Sequence, residues 1–217
     1  MDSFCLLVDL DGTVADTLPV CLAAFRHALA LHTGRPYSDD EIAAHFGVDE
    51  EGMLRRMAPG CWPACLASYL EAYERVHDLC PAPFPHLVEL FRALRGRGVR
   101  LGMVTGKGQA SAAVSLRRLG LLDLFEAVRT GAPEADVKVR GIAELLSAFD
   151  ARGDRAAYLG DAPADVRASR SNGIRALAAA WAPSARLEAL RLERPDALFR
   201  RTEELGQWTE GWLAGPV

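Results

Sequence analysis

A doubly wound α/β core, with a block of helices inserted after its first strand, is the fold class this sequence predicts. Three observations lead there. Short, mostly apolar runs recur, the first of them uninterrupted, and most stop at a polar or glycine-containing turn. Helical patterns separate those runs over the later part of the chain. Between the first run and the second, from about residue 17 to residue 80, the pattern is helical throughout. So short an apolar run suits a strand buried on both faces, as in a parallel sheet. Strand and helix in alternation imply right-handed crossovers and a sheet covered on both sides.

The apolar runs fall at 4–8, 99–104, 126–129, 156–159 and 174–180, the third being the weakest. The pattern over 86–97 places Leu87, Leu90, Phe91 and Leu94 on one helical face, and 110–119 continues it with Val114 and Leu116. Ile142, Leu145, Leu146 and Phe149 do the same over 139–149. Gly98, Gly120 and Gly173 stand where helix C-terminal glycines are expected. In the inserted block, helices are predicted over 18–32, 39–46, 50–57 and 63–79, with Ser38 or Asp39 capping the second. The proline-rich segment 81–85 reads as the linker back. The predicted division is a core of 1–16 and 82–217 and a helical cap of 17–81.

With 217 residues, half of them apolar, the chain is long enough for one α/β domain and a small insertion. Its net charge of -4, with no basic tract, argues against nucleic acid or an anionic membrane as partner. No uninterrupted apolar stretch is long enough to span a bilayer, and the N-terminus has no basic segment leading into a signal-like run. A cytoplasmic location is therefore expected. The five cysteines are odd in number and scattered, which argues against a disulfide framework. Cys61 and Cys65 form a pair, but no histidine-rich partner motif follows. The histidines show no ligand spacing.

Parallel sheets bind ligands beyond the carboxyl ends of their strands. The first run delivers Asp9 and Asp11, within 9–16 (DLDGTVAD). The second delivers Thr105, Gly106 and Lys107; the fourth delivers Gly160 and Asp161, with Asp165 four residues on. Lys138 lies just before the helix that leads to the fourth. Converging carboxylates repel one another, so a cation is needed, and an all-oxygen set open to water suits magnesium. Thr105, the amides around it and Lys138 offer donors to an anion. A hard divalent ion, a phosphate cradle and a free carboxylate together suggest phosphoryl transfer through an aspartyl-phosphate.

This constellation resembles the haloacid dehalogenase superfamily of phosphatases. Within it, the closer likeness is to the branch of phosphoglycolate phosphatases, pyrophosphatase-like and sugar-phosphate enzymes with a helical C1-type cap. Its DxDGT motif is present as Asp9 to Thr13, its strand-end hydroxyl as Thr105, its lysine as Lys138 and its acidic pair as Asp161 and Asp165. The resemblance implies a Rossmann-like core and a role for each residue. Asp9 is the nucleophile and a magnesium ligand. Asp11 protonates the leaving oxygen and then activates water, with its backbone carbonyl toward the metal. Thr105, Gly106 and Lys138 hold the phosphoryl oxygens. Asp161 and Asp165 complete the metal site. In relatives a proline commonly follows the lysine, whereas here Val139 does, so Lys107 competes for a phosphate-binding role.

The expected activity is magnesium-dependent hydrolysis of a small, soluble phosphate monoester, of the phosphoglycolate or sugar-phosphate class, by a monomer or homodimer. A phosphosugar mutase of the same superfamily is the alternative, to be recognised by its need for a bisphosphate activator. A catalytically silent binding protein on the same scaffold is a third. The cap is expected to set specificity, with residues near 46–48 as candidates to reach the site.

Overall fold

The structure, a computed structural model, describes residues 3–135 and 137–215. Its elements run β1 (Cys5–Val8), α1 (Leu18–Thr33), α2 (Asp39–Ala43), α3 (Glu50–Met57), α4 (Trp62–Arg75), α5 (Leu87–Gly96), β2 (Arg100–Val104), α6 (Gln109–Arg118) and β3 (Ala127–Arg129). They continue with α7 (Lys138–Phe149), β4 (Ala156–Gly160), α8 (Pro163–Ser171), β5 (Arg175–Ala179), α9 (Leu187–Leu192), β6 (Ala197–Phe199) and α10 (Thr202–Ala214). The six strands form one sheet in the order β3-β2-β1-β4-β5-β6, and every pair is parallel. The α/β class and the helical insertion agree with expectation.

The uniform apolarity of β1 has a direct cause. All four of its side chains are fully buried, and they alternate between two cores. Leu6 and Val8 join Phe91 and Leu94 of α5 and Leu116 of α6 on one face. Cys5 and Leu7 join Ile142, Leu145 and Phe149 of α7 on the other. A strand covered on both sides has no polar face to encode. Each of these larger side chains contributes roughly 1.5–3 kcal/mol of burial.

The inserted helices hold to one another chiefly through α1 and α4, where the Phe25 and Tyr69 rings lie 4.4 Å apart. Ser38 caps α2 as expected, in a capping box with Glu41. Two expected helices are shorter than their patterns. The one expected over 39–46 ends at Ala43, and the one expected to residue 79 gives way after Arg75 to a 3-10 turn, His77–Leu79. The edge strand β6 and the helices α8, α9 and α10 complete the core beyond what apolar periodicity indicated. None of the five cysteines is in a disulfide, although Cys61 and Cys65 Sγ stand 3.7 Å apart. Among the described residues, no helix is long and apolar enough to cross a membrane.

Candidate active site

The sheet order reverses at β1, whose neighbours are β2 and β4. A crevice beyond the carboxyl ends of the strands is expected at such a switch point. The loop after β1 is tight: the amides of Thr13, Val14 and Ala15 all reach back to the Leu10 carbonyl. Gly12 has φ 73°, and a Cβ there would lie 2.2 Å from Asp161 Oδ2. Only glycine lets this loop close on the end of β4. A similar economy operates at Gly160, where a Cβ would fall 2.3 Å from Asp165 Cγ.

These turns bring Asp9, Asp161 and Asp165 together, with one ligand atom from each lying within 4.8 Å of the others. Asp9 is buried, and its Oδ1 accepts a 2.8 Å bond from the Leu10 amide. Lys138, the first residue of α7, places Nζ 2.7 Å from Asp9 Oδ2 and 2.5 Å from Asp165 Oδ1. Asp165 also accepts the Ala162 amide at 2.9 Å, so it caps α8 as well as joining the cluster. Tyr158 donates its hydroxyl to the Val104 carbonyl at 2.8 Å and approaches Asp165 Oδ1 at 3.3 Å.

The electrostatics follow from burial. Desolvation pushes the Asp9 carboxyl up from 3.8 to about 6; Lys138 opposes the shift, while Asp165 and Asp11 reinforce it. Desolvation, then the neighbouring Asp9 and Asp165, hold the Asp161 carboxyl well above the usual range. Burial disfavours the Lys138 charge, yet Asp165 and Asp9 outweigh it and hold the ammonium well above the ordinary lysine value. Two buried carboxylates and the half-buried Asp161 thus gather around Lys138, whose ammonium contacts Asp9 and Asp165. Such an all-oxygen, electron-rich set suits a hard divalent cation.

The remaining candidates form a second group. Asp11 Oδ1 accepts from Thr17 Oγ1 and lies 3.3 Å from Lys107 Nζ. The Asp11 side chain therefore stands outside the three-carboxylate cluster. Thr105 is fully buried at the end of β2, and its Oγ1 accepts the Lys107 amide at 3.2 Å. Gly106 and Lys107 line the same cavity as Asp9 and Lys138. That cavity measures about 380 Å³. Leu18, Phe25 and Met53 of the insertion give it an apolar wall, and residues 46–48 line it as the sequence suggested.

Periodicity and motif did not point to Tyr158, Glu50 or Cys21. Tyr158 lies in a strand with no outward face, so its hydroxyl requires a partner inside the protein. Glu50 opens α3 and carries no pattern that separates it from an ordinary first-turn acid.

The fold is a doubly wound α/β core with an acidic crevice beyond the carboxyl ends of its central strands. The sequence profile of haloacid dehalogenase-like hydrolases matches residues 6–179, and the chain belongs to that family. A phosphoglycolate phosphatase of Synechococcus elongatus is 29% identical over 206 residues, covering 93% of this chain and 95% of that protein. Pyrophosphatase PpaX of Bacillus pumilus is 26% identical over 202 residues, covering 92% and 93%. Among solved structures, CbbY from Rhodobacter sphaeroides in complex with phosphate superposes with a TM-score of 0.79 at 18% identity, covering 94% of this chain and 96% of that one.

Proposed function

We propose that the chain is a phosphatase that hydrolyses a small-molecule phosphate monoester, of the phosphoglycolate or sugar-phosphate class, with magnesium as cofactor. The observation that carries this reading is the placement of Lys138 Nζ between Asp9 and Asp165, with Asp9, Lys138 and Asp161 lining a cavity of about 380 Å³. The names of the two relatives support phosphate hydrolysis, and that of the phosphoglycolate phosphatase supports a monoester. Residues 17–81 act as the cap, and residues 1–16 with 82–217 as the core.

Asp9 is the nucleophile. Its Oδ1 is oriented by the Leu10 amide and its Oδ2 by Lys138, so the carboxylate is held before substrate arrives. Lys138, Thr105 and the Gly106 amide hold the phosphoryl oxygens, and burial strengthens each of these contacts. Asp11 gives a proton to the leaving oxygen and later takes one from the attacking water. Asp9, Asp161 and Asp165, with the Asp11 backbone carbonyl, would hold magnesium. When bound, the ion supplies the positive charge that lets phosphoryl oxygens and carboxylates meet. The apolar wall from the insertion excludes water from the cavity.

The test is phosphate release from a panel of metabolite phosphates, with magnesium or with chelator, for the native chain and Asp9→Asn. Release that needs magnesium and is lost in Asp9→Asn is the expected result. No release from any ester by the metal-loaded protein would overturn the reading.

A further inference from the structure

Lys107 is almost completely buried, and its ammonium has four neighbours. Nζ lies 3.3 Å from Asp11 Oδ1, 3.0 Å from Cys21 Sγ, 3.7 Å from Glu50 Oε1 and 4.5 Å from the centre of the Tyr73 ring. Asp11 belongs to the loop after β1. The other three stand on α1, α3 and α4 of the insertion. Glu50 is itself held firmly by the core. Its Oε2 accepts the Gly108 amide at 2.7 Å, and its Oε1 accepts Ser111 Oγ at 2.5 Å. Tyr69 of α4 approaches the same Oε1 at 3.4 Å. A Cβ at Gly108 would fall 2.5 Å from Glu50 Oε2, so the carboxylate is seated directly on the start of α6. An acid there satisfies an otherwise orphaned helix amide and meets the positive end of the helix. One carboxylate of the insertion thus touches the helix that follows Lys107 and faces the Lys107 ammonium.

We propose that Glu50 and Lys107 are positioning residues for Asp11: the helical insertion, seated through Glu50 on α6, fixes the Lys107 ammonium against Asp11 Oδ1. Lys107 and Thr17 both engage that oxygen, which leaves Oδ2 to carry the proton toward the leaving group. The inference rests on the acid–base role proposed above for Asp11. In the first step the Asp9 oxygen–phosphorus bond forms, the ester P–O bond breaks, and the Asp11 proton goes to the ester oxygen, so the alcohol leaves neutral. In the second, water attacks phosphorus, Asp11 takes its proton, and Asp9 is released as a carboxylate. A correctly seated insertion is then a condition for proton transfer as well as for the exclusion of water.

The test compares kcat/KM on an alkyl phosphate, whose alcohol must leave protonated, with kcat/KM on p-nitrophenyl phosphate, whose leaving group needs no proton; kcat/KM reports the first step, whereas kcat also contains the second, which both esters share. Lys107→Met and Glu50→Ala are expected to lower the alkyl-to-aryl kcat/KM ratio by about 10-fold or more, given the usual size of general acid catalysis. An unchanged ratio, whether through equal losses or none, would overturn the proposal, because a merely structural role moves both esters alike. Should Lys107→Met fail to fold, Glu50→Gln serves, since it keeps the size and an acceptor on α6 but removes the charge that faces Lys107. If the native chain hydrolyses neither these two esters nor any of the metabolite panel, the proposed function falls instead. Crystal structures of the variants then decide the positioning: an Asp11 carboxylate that stays in place counts against it, and one that moves away counts for it.

Discussion

Lys138 Nζ lies 2.7 Å from Asp9 Oδ2, although 129 positions separate the two residues in the chain. The same nitrogen reaches Asp165, whose side chain is fully buried. One cation at the start of α7 therefore offsets carboxylates delivered by β1 and by the first turn of α8.

Removal of that cation leaves the buried carboxylates without their counter-charge. Lys138→Met is expected to destabilise the fold by about 3–5 kcal/mol in chelator, the usual cost of breaking a buried pair. The loss is expected to shrink in magnesium, because a bound cation replaces the missing charge. Urea unfolding under both conditions checks this, and an equal loss in the two would mean that metal and lysine do not share one site.

Metal-free stability should depend on pH through Asp9. Its folded value of about 6 exceeds the ordinary 3.8, so between these values the folded chain keeps a proton that the unfolded chain has lost. The stabilisation from this group is complete at low pH and disappears as pH rises through about 6. The span corresponds to roughly 3 kcal/mol at about 1.36 kcal/mol per unit. Asp161 is shifted in the same direction. In chelator, the native chain is expected to lose stability relative to Asp9→Asn as pH rises from about 4 to about 7. Saturating magnesium should reduce that loss, and parallel pH curves for the two proteins in chelator would contradict the assignment.

At Gly12 the strain and the clash act together. Gly12→Ala forces an alanine into φ 73° and sets its Cβ against the Asp161 carboxylate. The backbone alone costs about 1–2 kcal/mol. Displacement of Asp161 is expected to weaken magnesium binding by about tenfold or more, on the scale of other disturbances around a metal site. Calorimetric titration with magnesium measures it; unchanged affinity would show that Asp161 does not need this loop.

Tyr158 is the buried support of Asp165. Tyr158→Phe removes the donor to the Val104 carbonyl and the approach to Asp165. A buried acceptor left unsatisfied costs about 1–3 kcal/mol. Thermal and urea unfolding should register that loss, and a change near zero would mean that the hydroxyl contributes nothing net.

The core was legible in the sequence because burial on both faces is a local signal. Runs such as 4–8 and 156–159 need no partner to be recognised, and they end at, or one residue before, the ends of β1 and β4. The carboxylates Asp9, Asp161 and Asp165 were legible for a related reason: a parallel sheet sends the residues after its strands to one edge. Short or weak elements such as β6 and α9 were not, because three or six residues carry too little periodicity.

What the sequence determined by itself was therefore the class of fold and the chemical character of the strand ends. Only the tertiary structure decided between the two lysines' surroundings, setting Lys138 against Asp9 and Asp165 and turning Lys107 toward Asp11, Cys21 and Glu50. Both lysines follow strand-end loops, and nothing local distinguishes them. The choice depends on where α7 begins against the sheet and on how α1 and α3 meet the loop after β2, which are long-range packing outcomes with no expression in the residues beside either lysine.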